Sequence, residues 1–378
     1  MAEPSTFDVG ILGAGVVGCS IAYHLARRQV SCILLDREGP GGGTSSATSA
    51  WVWVHTKAPA AYARANLRSA ERFPSLQEAI GPIEYLRTGG LAPALTEEDA
   101  HTAGVLVDRQ TAAGIEVRWL PRDEVLRREP ALSPGILGAT YSPLDGSVNP
   151  FLLVRRLSAA ARAHGATAWY HCGHVSTRAL ANGFLLESPR GEVEVRSLVL
   201  AVGPWAPQIG REIGVAIPIH QVRGHVLVSE ALPPLLRHTI HGARQLVTGE
   251  VLFGYTQEEV GMSREAALDQ IRQVARAGVR LLPPLGTARV IRAFAGIRAV
   301  PDDGLPILGA VPGVDNLFVA ATHSGVTLCP LIGEAMAAVV VGETLPEDLR
   351  GYTLERFGEA GGSLGGGFAG RIRGGAVV

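Results

Sequence analysis

The N-terminal segment constrains the fold more than any other part of the chain. Residues 7–12 (FDVGIL) have the apolar pattern of a short strand, and a helical pattern follows as far as Arg28. Between them lie Gly13, Gly15 and Gly18 in the spacing GxGxxG. In this context the first glycine permits a tight turn, the second lets a pyrophosphate approach the backbone, and the third lets the helix pack closely on the strand. The segment predicts a Rossmann-type unit rather than a glycine-rich turn of some other α/β protein.

An acidic residue follows at the place where a dinucleotide-binding unit needs one. A second apolar strand, residues 31–35, ends at Asp36, where a carboxylate can accept both hydroxyl groups of a ribose. The first turn of the helix, at Val16 and Val17, offers free N–H groups and the positive end of its dipole to phosphates. We therefore expect a dinucleotide cofactor at this unit.

The charge balance excludes several classes of partner. The 378 residues include 34 Lys and Arg and 35 Asp and Glu, for a net charge of −1, and no basic run occurs. We expect no nucleic-acid partner. Residues 9–26 carry no charge, but the glycines within them argue against a membrane span. The four cysteines lack metal-ligand spacing, so we expect no metal site and a reduced, cytoplasmic protein.

Two later segments have the pattern of further cofactor contacts. An apolar strand over residues 198–202 ends at Gly203, and residues 316–342 have the pattern of a strand, a turn and a helix. In that helix Pro330 suits the first turn and Gly342 the end. Three such segments from distant parts of the chain suit the long FAD molecule better than NAD.

Several short segments together point to one family. They are residues 13–18 with 36–37, 43–46, 145–150, 201–205, 296–298 with 303–309, and 323–327. In these segments, and in their order, the chain resembles the D-amino-acid oxidase family of flavoproteins, in the branch with glycine oxidase, sarcosine oxidase and the amino- and imino-acid dehydrogenases. The resemblance implies FAD, an interleaved two-domain fold and oxidation of a carbon–nitrogen bond.

The predicted fold class is α/β, with a Rossmann-type FAD-binding domain interleaved with an α+β substrate domain built on an antiparallel sheet. Strand-like alternation at residues 224–229 and 251–256 and an amphipathic helix at about 263–281 support the second domain. The predicted FAD-binding domain comprises residues 1–78, 146–214 and 302–357, the substrate domain residues 79–145 and 215–301, and a glycine-rich mobile tail residues 358–378.

The resemblance also implies the cofactor contacts. A helix N-terminus at residues 323–327 would stabilise negative charge on a reduced flavin. Some family members attach FAD through a Cys near the position of Arg298 or a His near that of Ser45. Neither residue type is present there, so we expect noncovalent FAD. The predicted contacts are Gly13, Gly15, Val16, Val17, Gly18, Asp36, Arg37, Thr44, Ser45, Val175, Gly203, Trp205, Ser324, Gly325, Val326 and Thr327.

Two residues are predicted to act on the substrate. Arg298 matches the family's carboxylate-binding arginine, and a planar cation is the expected anchor for an α-carboxylate. Its alternative is a surface arginine paired with Asp302 or Asp303. His323 lies in the turn that would meet the flavin, where it can donate to the flavin or hold the substrate amine neutral. Its alternative is a histidine satisfied by the backbone.

A weaker group of residues is predicted to line the substrate site. Trp53 and His55 follow the small-residue stretch that would pack against the flavin, and Gln245 and Tyr255 lie on or beside a strand that faces the same cavity in the resemblance. Aromatic residues at these positions are equally typical of a hydrophobic core.

The resemblance implies an enzyme that oxidises the C–N bond of a small amino or imino acid: glycine, a D-amino acid or an N-substituted amino acid. Hydride transfer to flavin N5 would give an imine that hydrolyses. One alternative is the catalytic flavin subunit of a heteromeric dehydrogenase of the proline or opine type, which needs partner subunits. The other is an FAD-dependent 2-hydroxy-acid dehydrogenase.

The single lysine bears on the electron acceptor. Sarcosine oxidases use a lysine from the second half of the chain to help activate O2, whereas Lys57, the only lysine here, lies in the first half. We therefore expect the electron acceptor to be either O2 or a different acceptor, such as a partner subunit.

Overall fold

The computed structural model describes residues 5–358 of the chain. An eight-stranded sheet forms the first layer. Its strands are β1 Ser5–Leu12, β2 Cys32–Leu35, β8 Thr167–Trp169, β9 Ser176–Leu180, β10 Gly183–Ser188, β11 Gly191–Leu200, β17 Ile307–Ala310 and β18 Leu317–Ala321. They lie in the order β17-β18-β11-β1-β2-β8 with the central strands parallel, and β9 and β10 are added antiparallel beside β11.

Three helices pack together to cover this sheet: α1 Val16–Arg27, α6 Pro150–Ala163 and α9 Gly325–Val340. The start of α6 follows from its sequence, because the Asn149 side chain accepts from the amides of Phe151 at 3.1 Å and Leu152 at 3.2 Å, and Pro150 occupies the first helical position. Gly165, with φ of 103°, lies just beyond its end.

The prediction for α9 was wrong at its start. The helix begins at Gly325, so Pro330 lies inside it rather than in its first turn. Nearly every side chain of α9 beyond Val326 is buried, and this packing offsets the backbone hydrogen bond that a proline cannot make. The predicted end is confirmed, since Gly342 follows the helix with φ of 96°.

A second eight-stranded sheet has the order β16-β12-β15-β14-β13-β4-β6-β5 and is antiparallel except between β13 and β4. A two-stranded ladder, β3 with β7, lies beside it. These strands are β3 Trp51–Val52, β4 Gly90–Ala94, β5 Arg118–Pro121, β6 Gly138–Ser142, β7 Gly146–Ser147, β12 Ile219–Ala231, β13 Thr239–Ile240, β14 Ala243–Gln245, β15 Glu250–Phe253 and β16 Val290–Pro301.

The second sheet packs on α8, Leu268–Leu281, through a core that includes Leu227, Phe253 and Val274. The predicted helix at 263–281 began too early, because Ala267 ends a loop and donates its amide to Nε2 of His225 at 3.2 Å. The remaining helices are α2 Ala60–Ala70, α3 Phe73–Ile80, α4 Glu97–Ala112, α5 Arg122–Arg128 and α7 Ala206–Glu212.

The α/β fold class is confirmed. Every strand of the first sheet falls in a segment predicted for FAD binding, and every strand of the second in a segment predicted for the substrate domain. The domain boundaries themselves stay a prediction, and the predicted tail, apart from Gly358, lies outside the described residues. Within residues 5–358, no helix has the length and apolar character needed to cross a membrane.

Candidate functional site

A cavity of about 510 Å³ opens between the two sheets. Its walls are the carboxyl ends of β1 and β2, the first turns of α1 and α9, and the middle of β12 and β16. Ligands of open α/β sheets bind outside the carboxyl ends of the strands, so this is the expected place for a cofactor.

The glycine turn after β1 shapes one side of the cavity. A Cβ on Gly13, whose φ is 101°, would lie 2.5 Å from the carbonyl oxygen of Ala201, and a Cβ on Gly18 would lie 1.9 Å from that of Gly13. Gly18 therefore lets α1 pack against the turn, as predicted, but it does not line the cavity itself. Gly15 does line it.

Asp36, Arg37 and Glu38 form what we call the acidic end of the cavity. One oxygen of Asp36 accepts from the amide of Ala14 at 2.7 Å, and the other accepts from the amides of Glu38 at 2.8 Å and Gly39 at 2.9 Å. Burial raises the pKa of this carboxyl, and those three amides oppose the rise. The Arg37 guanidinium lies 5.6 Å from the ring centroid of Trp205. The acidic end is thus fixed by the protein's own backbone.

The N-termini of α1 and α9 both face the cavity, and neither first turn contains an acidic residue. Ser45 accepts from the amide of Val16 at 2.9 Å. Ser324, at the N-cap of α9, does not cap its own helix; its hydroxyl accepts from Lys57 Nζ at 2.9 Å and from the Tyr62 hydroxyl at 2.9 Å. The positive end of α9 is therefore left to a ligand. Two such helix ends fit the anionic pyrophosphate and the electron-accepting ring of FAD.

Arg298 reaches the cavity from β16. A Cβ on Gly224 of the neighbouring strand β12 would lie 2.8 Å from its Nη2, so the glycine makes room for the guanidinium. Nη2 donates to the carbonyl oxygens of Thr256 and Arg223, and the guanidinium lies 4.9 Å from the ring centroid of Tyr255. Burial lowers the pKa of Arg298.

The alternative for Arg298 does not hold. Asp302 pairs with His220 at 3.1 Å and Asp303 with Arg356 at 2.7 Å. Within residues 5–358, Arg298 has no carboxylate partner. Because a cation that is largely withdrawn from water without a counter-ion is costly, the partly buried Arg298 is suited to bind an anion that enters the cavity.

His323 also lines the cavity. Burial, reinforced by the positive charges of Lys57 and Arg298, holds the pKa of its imidazole well below the usual value. Its ring nitrogens make no hydrogen bond to any residue that the structure describes, so the backbone-satisfied alternative does not hold. The side chain is a neutral imidazole at neutral pH, free to bond a ligand.

Sequence reasoning missed Lys57. It lines the cavity from the loop after β3, and burial lowers the pKa of its amine to about 8 against the opposing effect of Asp145. Lys57 is the only lysine of the chain, which is a signal, but the flavin-side lysine of sarcosine oxidases comes from the second half of the chain, so the resemblance does not indicate Lys57.

Sequence reasoning also missed His241. It lies between β13 and β14, and the neighbouring sequence contains no motif that would mark it as a site residue. Its ring centroid is 5.4 Å from that of Trp51, 5.8 Å from that of Trp53 and 5.8 Å from that of Tyr255. Burial, with the nearby His55 and Lys57, lowers its pKa to about 4. Its Nδ1 is buried without a hydrogen-bond partner among the described residues. We call Lys57, His241, Arg298 and His323 the basic end of the cavity.

Two predicted substrate residues lie elsewhere. His55 is 0% exposed; its Nδ1 pairs with Asp145 and its Nε2 bonds Thr140 Oγ1 at 3.0 Å, so it ties the loop after β3 to β6. The side chain of Gln245 bonds the backbone that follows β12. Its Oε1 accepts from the amides of Leu235 and Leu236, and its Nε2 donates to the carbonyl of Gly249. Neither residue faces the cavity.

The other predicted residues, apart from Gly18, line the same cavity. They are Trp53 and Tyr255 of the substrate group and all the remaining predicted cofactor contacts. Those contacts are Gly13, Gly15, Val16, Val17, Asp36, Arg37, Thr44, Ser45, Val175, Gly203, Trp205, Ser324, Gly325, Val326 and Thr327.

Comparison with known families agrees with this geometry. The model of the FAD dependent oxidoreductase family matches residues 8–339. The chain belongs to this family. Its cofactor is FAD, as the resemblance implied.

Known proteins match over nearly the whole chain. The glycine oxidase of Geobacillus kaustophilus is 28% identical over 365 residues, which cover 93% of this chain and 97% of that protein. Its crystal structure superposes with a TM-score of 0.88 at 29% identity and covers 93% and 99% of the two chains. One of the opine oxidase subunits of Agrobacterium tumefaciens is 29% identical over 368 residues, with coverage of 93% and 97%. The iminodiacetate oxidase of Chelativorans sp. BNC1 has a TM-score of 0.80 at 26% identity and covers 91% and 98%.

Proposed function

We propose that this enzyme oxidises the carbon–nitrogen bond of a small amino or imino acid. The observation that carries the proposal is Arg298, a partly buried cation in the cavity wall without a carboxylate partner within residues 5–358. Similarity to a glycine oxidase and an iminodiacetate oxidase supports the same class of substrate.

The roles of the residues follow from their positions. The Arg298 guanidinium binds the substrate's α-carboxylate through its charge and through Nη1, which donates to no described residue, and this fixes the orientation of Cα. The neutral His323 imidazole bonds the amine and favours its uncharged form, whose lone pair is available as the C–N double bond forms. Trp53 and Tyr255 line the wall beside it. FAD, when bound, supplies the acceptor for the hydride from Cα. Water then hydrolyses the imine to a 2-oxo acid and ammonia, or to a 2-oxo acid and an amine where the substrate nitrogen is substituted.

The finer properties are also proposals. No cysteine of the chain lines the cavity, which supports noncovalent FAD. All four cysteines are free, as is usual in a reducing compartment, and this supports a cytoplasmic enzyme. The electron acceptor is O2 or another molecule.

A second candidate is the flavin subunit of a heteromeric amino- or imino-acid dehydrogenase. The similarity to a protein named as an opine oxidase subunit favours it, since that protein is by its name one part of an assembly.

Anaerobic bleaching of the FAD-loaded protein tests the proposal. The panel is glycine, N-methylglycine, proline, D-amino acids and opine-like secondary amines, each matched with a 2-hydroxy acid of the same skeleton. We expect at least one amine to bleach the flavin and the hydroxy acids to leave it oxidised. Bleaching by the hydroxy acids alone would contradict the proposal.

Re-oxidation of the bleached protein separates the two candidates. Rapid formation of peroxide on admission of air supports a self-sufficient oxidase. A reduced flavin that reacts with a dye but hardly with O2 supports the heteromeric assembly.

A further inference from the structure

The basic end of the cavity contains two cations on different elements. Arg298 lies on β16, and Lys57 lies in the loop after β3. Neither is within salt-bridge distance of a carboxylate among the described residues. The cavity's lining carboxylates, Asp36 and Glu38, lie at the acidic end, where backbone amides hold Asp36 and Arg264 pairs with Glu38 at 3.3 Å. One α-carboxylate satisfies Arg298 and leaves Lys57 uncompensated.

The protein groups around Lys57 do not supply its counter-ion. Nζ donates to Ser324, a neutral hydroxyl. The charge of Asp145 raises the pKa of Lys57, but Asp145 is 0% exposed, and its oxygens already accept from the Val54 amide at 2.5 Å and pair with the His55 ring. An amine held in this way, at the wall of a cavity, is arranged for an anionic ligand.

The position of His323 relates the two cations. It precedes Ser324, the residue whose hydroxyl accepts from Lys57 Nζ at 2.9 Å, and it lines the same cavity as Arg298. If the amine of the substrate bonds His323 and its α-carboxylate bonds Arg298, then a substituent on the nitrogen lies in the part of the cavity that Lys57 lines beside Ser324. This step rests on the proposed function.

We propose that Lys57 binds a second carboxylate, one carried on the substrate's nitrogen, so that the preferred substrates are N-carboxyalkyl amino acids. In this class a secondary amine lies between two carboxylates. A monocarboxylic amino acid fills the Arg298 site alone and leaves the lysine unpaired.

Ligand binding tests this without turnover. Diglycolate places two carboxylates across an ether oxygen, and its monoamide has the same shape with one charge fewer; neither ligand contains a titrating amine. Both are titrated into the FAD-loaded protein, and the perturbed flavin absorbance gives Kd. We expect diglycolate to bind about 10- to 100-fold more tightly than its monoamide, as for a buried charged hydrogen bond.

Three variants test whether Lys57 causes the preference for diglycolate over its monoamide. Lys57→Met should abolish the preference for diglycolate and leave the Kd of the monoamide close to the original, and Lys57→Arg should restore part of the preference. Arg64→Met removes an exposed cation from α2 and should change neither constant. If Lys57→Met weakens both ligands equally, the lysine serves the flavin edge at α9 rather than the substrate, and the proposal is wrong. Equal Kd values in the unmodified protein would also overturn it.

The pH dependence gives a further test. Lys57 is faced by Tyr62 from α2, His323 before α9, His241 between β13 and β14, and Asp145 before β7. Burial lowers the pKa of both histidines and raises that of Tyr62, whereas the pKa of Lys57 is about 8. The lysine is charged below this pH, so the diglycolate preference should fall as the pH rises through about 8. A preference unchanged from pH 6.5 to 9.5 would contradict the proposal.

The outcome is separable from that of the proposed function. If no amino or imino acid bleaches the flavin, the proposed function fails. If monocarboxylic amines bleach it normally and diglycolate is not preferred, only the role of Lys57 fails.

Discussion

The acidic and basic ends of the cavity are built in contrasting ways. One contiguous stretch, residues 13–39, supplies the acidic end and the glycine turn next to it, and the carboxylate of Asp36 is satisfied by three backbone amides. At the basic end Lys57, His241, Arg298 and His323 come from four distant segments, and within the described residues no carboxylate pairs with the two cations, Lys57 and Arg298. The first end is complete before a ligand binds, whereas the second is complete only with an anion in place. Cofactor binding and substrate selection are therefore separate properties of this cavity.

The largest expected effect is at the basic end. Arg298→Met removes the cation that binds the α-carboxylate and should lower kcat/KM for the best amine by more than about 100-fold. The FAD content of the purified protein should not change, because the acidic end is untouched. Steady-state kinetics and the ratio of flavin to protein absorbance provide the two measurements. An Arg298→Met variant with the original KM would contradict the anchor role.

Asp36→Asn should have the converse effect at the acidic end. An amide can place an N–H against the N–H of Ala14 or Glu38, so one backbone donor loses its acceptor. We expect the dissociation constant of FAD to rise about 10- to 100-fold, with kcat restored when excess FAD is supplied. Titration of the apoprotein with FAD measures the first, and assays at saturating FAD measure the second. A fall in kcat that excess FAD does not correct would contradict the claim that the acidic end binds the cofactor without affecting the reaction of the substrate.

A smaller effect should follow from Gly224→Ala. The added methyl group would lie 2.8 Å from Nη2 of Arg298 and displace the guanidinium without removing it. We expect KM for the amine to rise about 10-fold, since a displaced anchor misorients the substrate. Gly104→Ala, in α4, is the matched control, because nothing lies within 4 Å of its added methyl group. Equal behaviour of the two variants would show that the position of Arg298 does not matter.

The acidic end could be predicted from the sequence because its information is local. A strand, GxGxxG, a helix and an acidic residue at the end of the next strand follow one another along the chain. The contacts that confine Gly13 and Gly18 arise within this unit and from Ala201 beside it. The helix cap at Asn149 is local in the same sense.

The basic end could be predicted only in part. Arg298 and His323 were identified through the family resemblance, while Lys57 and His241 reach the cavity through tertiary packing that leaves no periodic pattern. Gln245 was misplaced for a related reason: a strand position gives the strand but does not determine whether a side chain faces the cavity or its own loop. Pro330 was misplaced because burial of α9 outweighs the local preference of proline.

The most direct test of this account is the rate of anaerobic flavin bleaching as a function of amine concentration, measured by rapid mixing. Three proteins are compared: the unmodified enzyme, Asp36→Asn reloaded with FAD, and Arg298→Met. The account predicts the same saturating curve for the first two and, for Arg298→Met, a slow rate that does not saturate over the same range. A normal curve for Arg298→Met together with a defective curve for reloaded Asp36→Asn would contradict it.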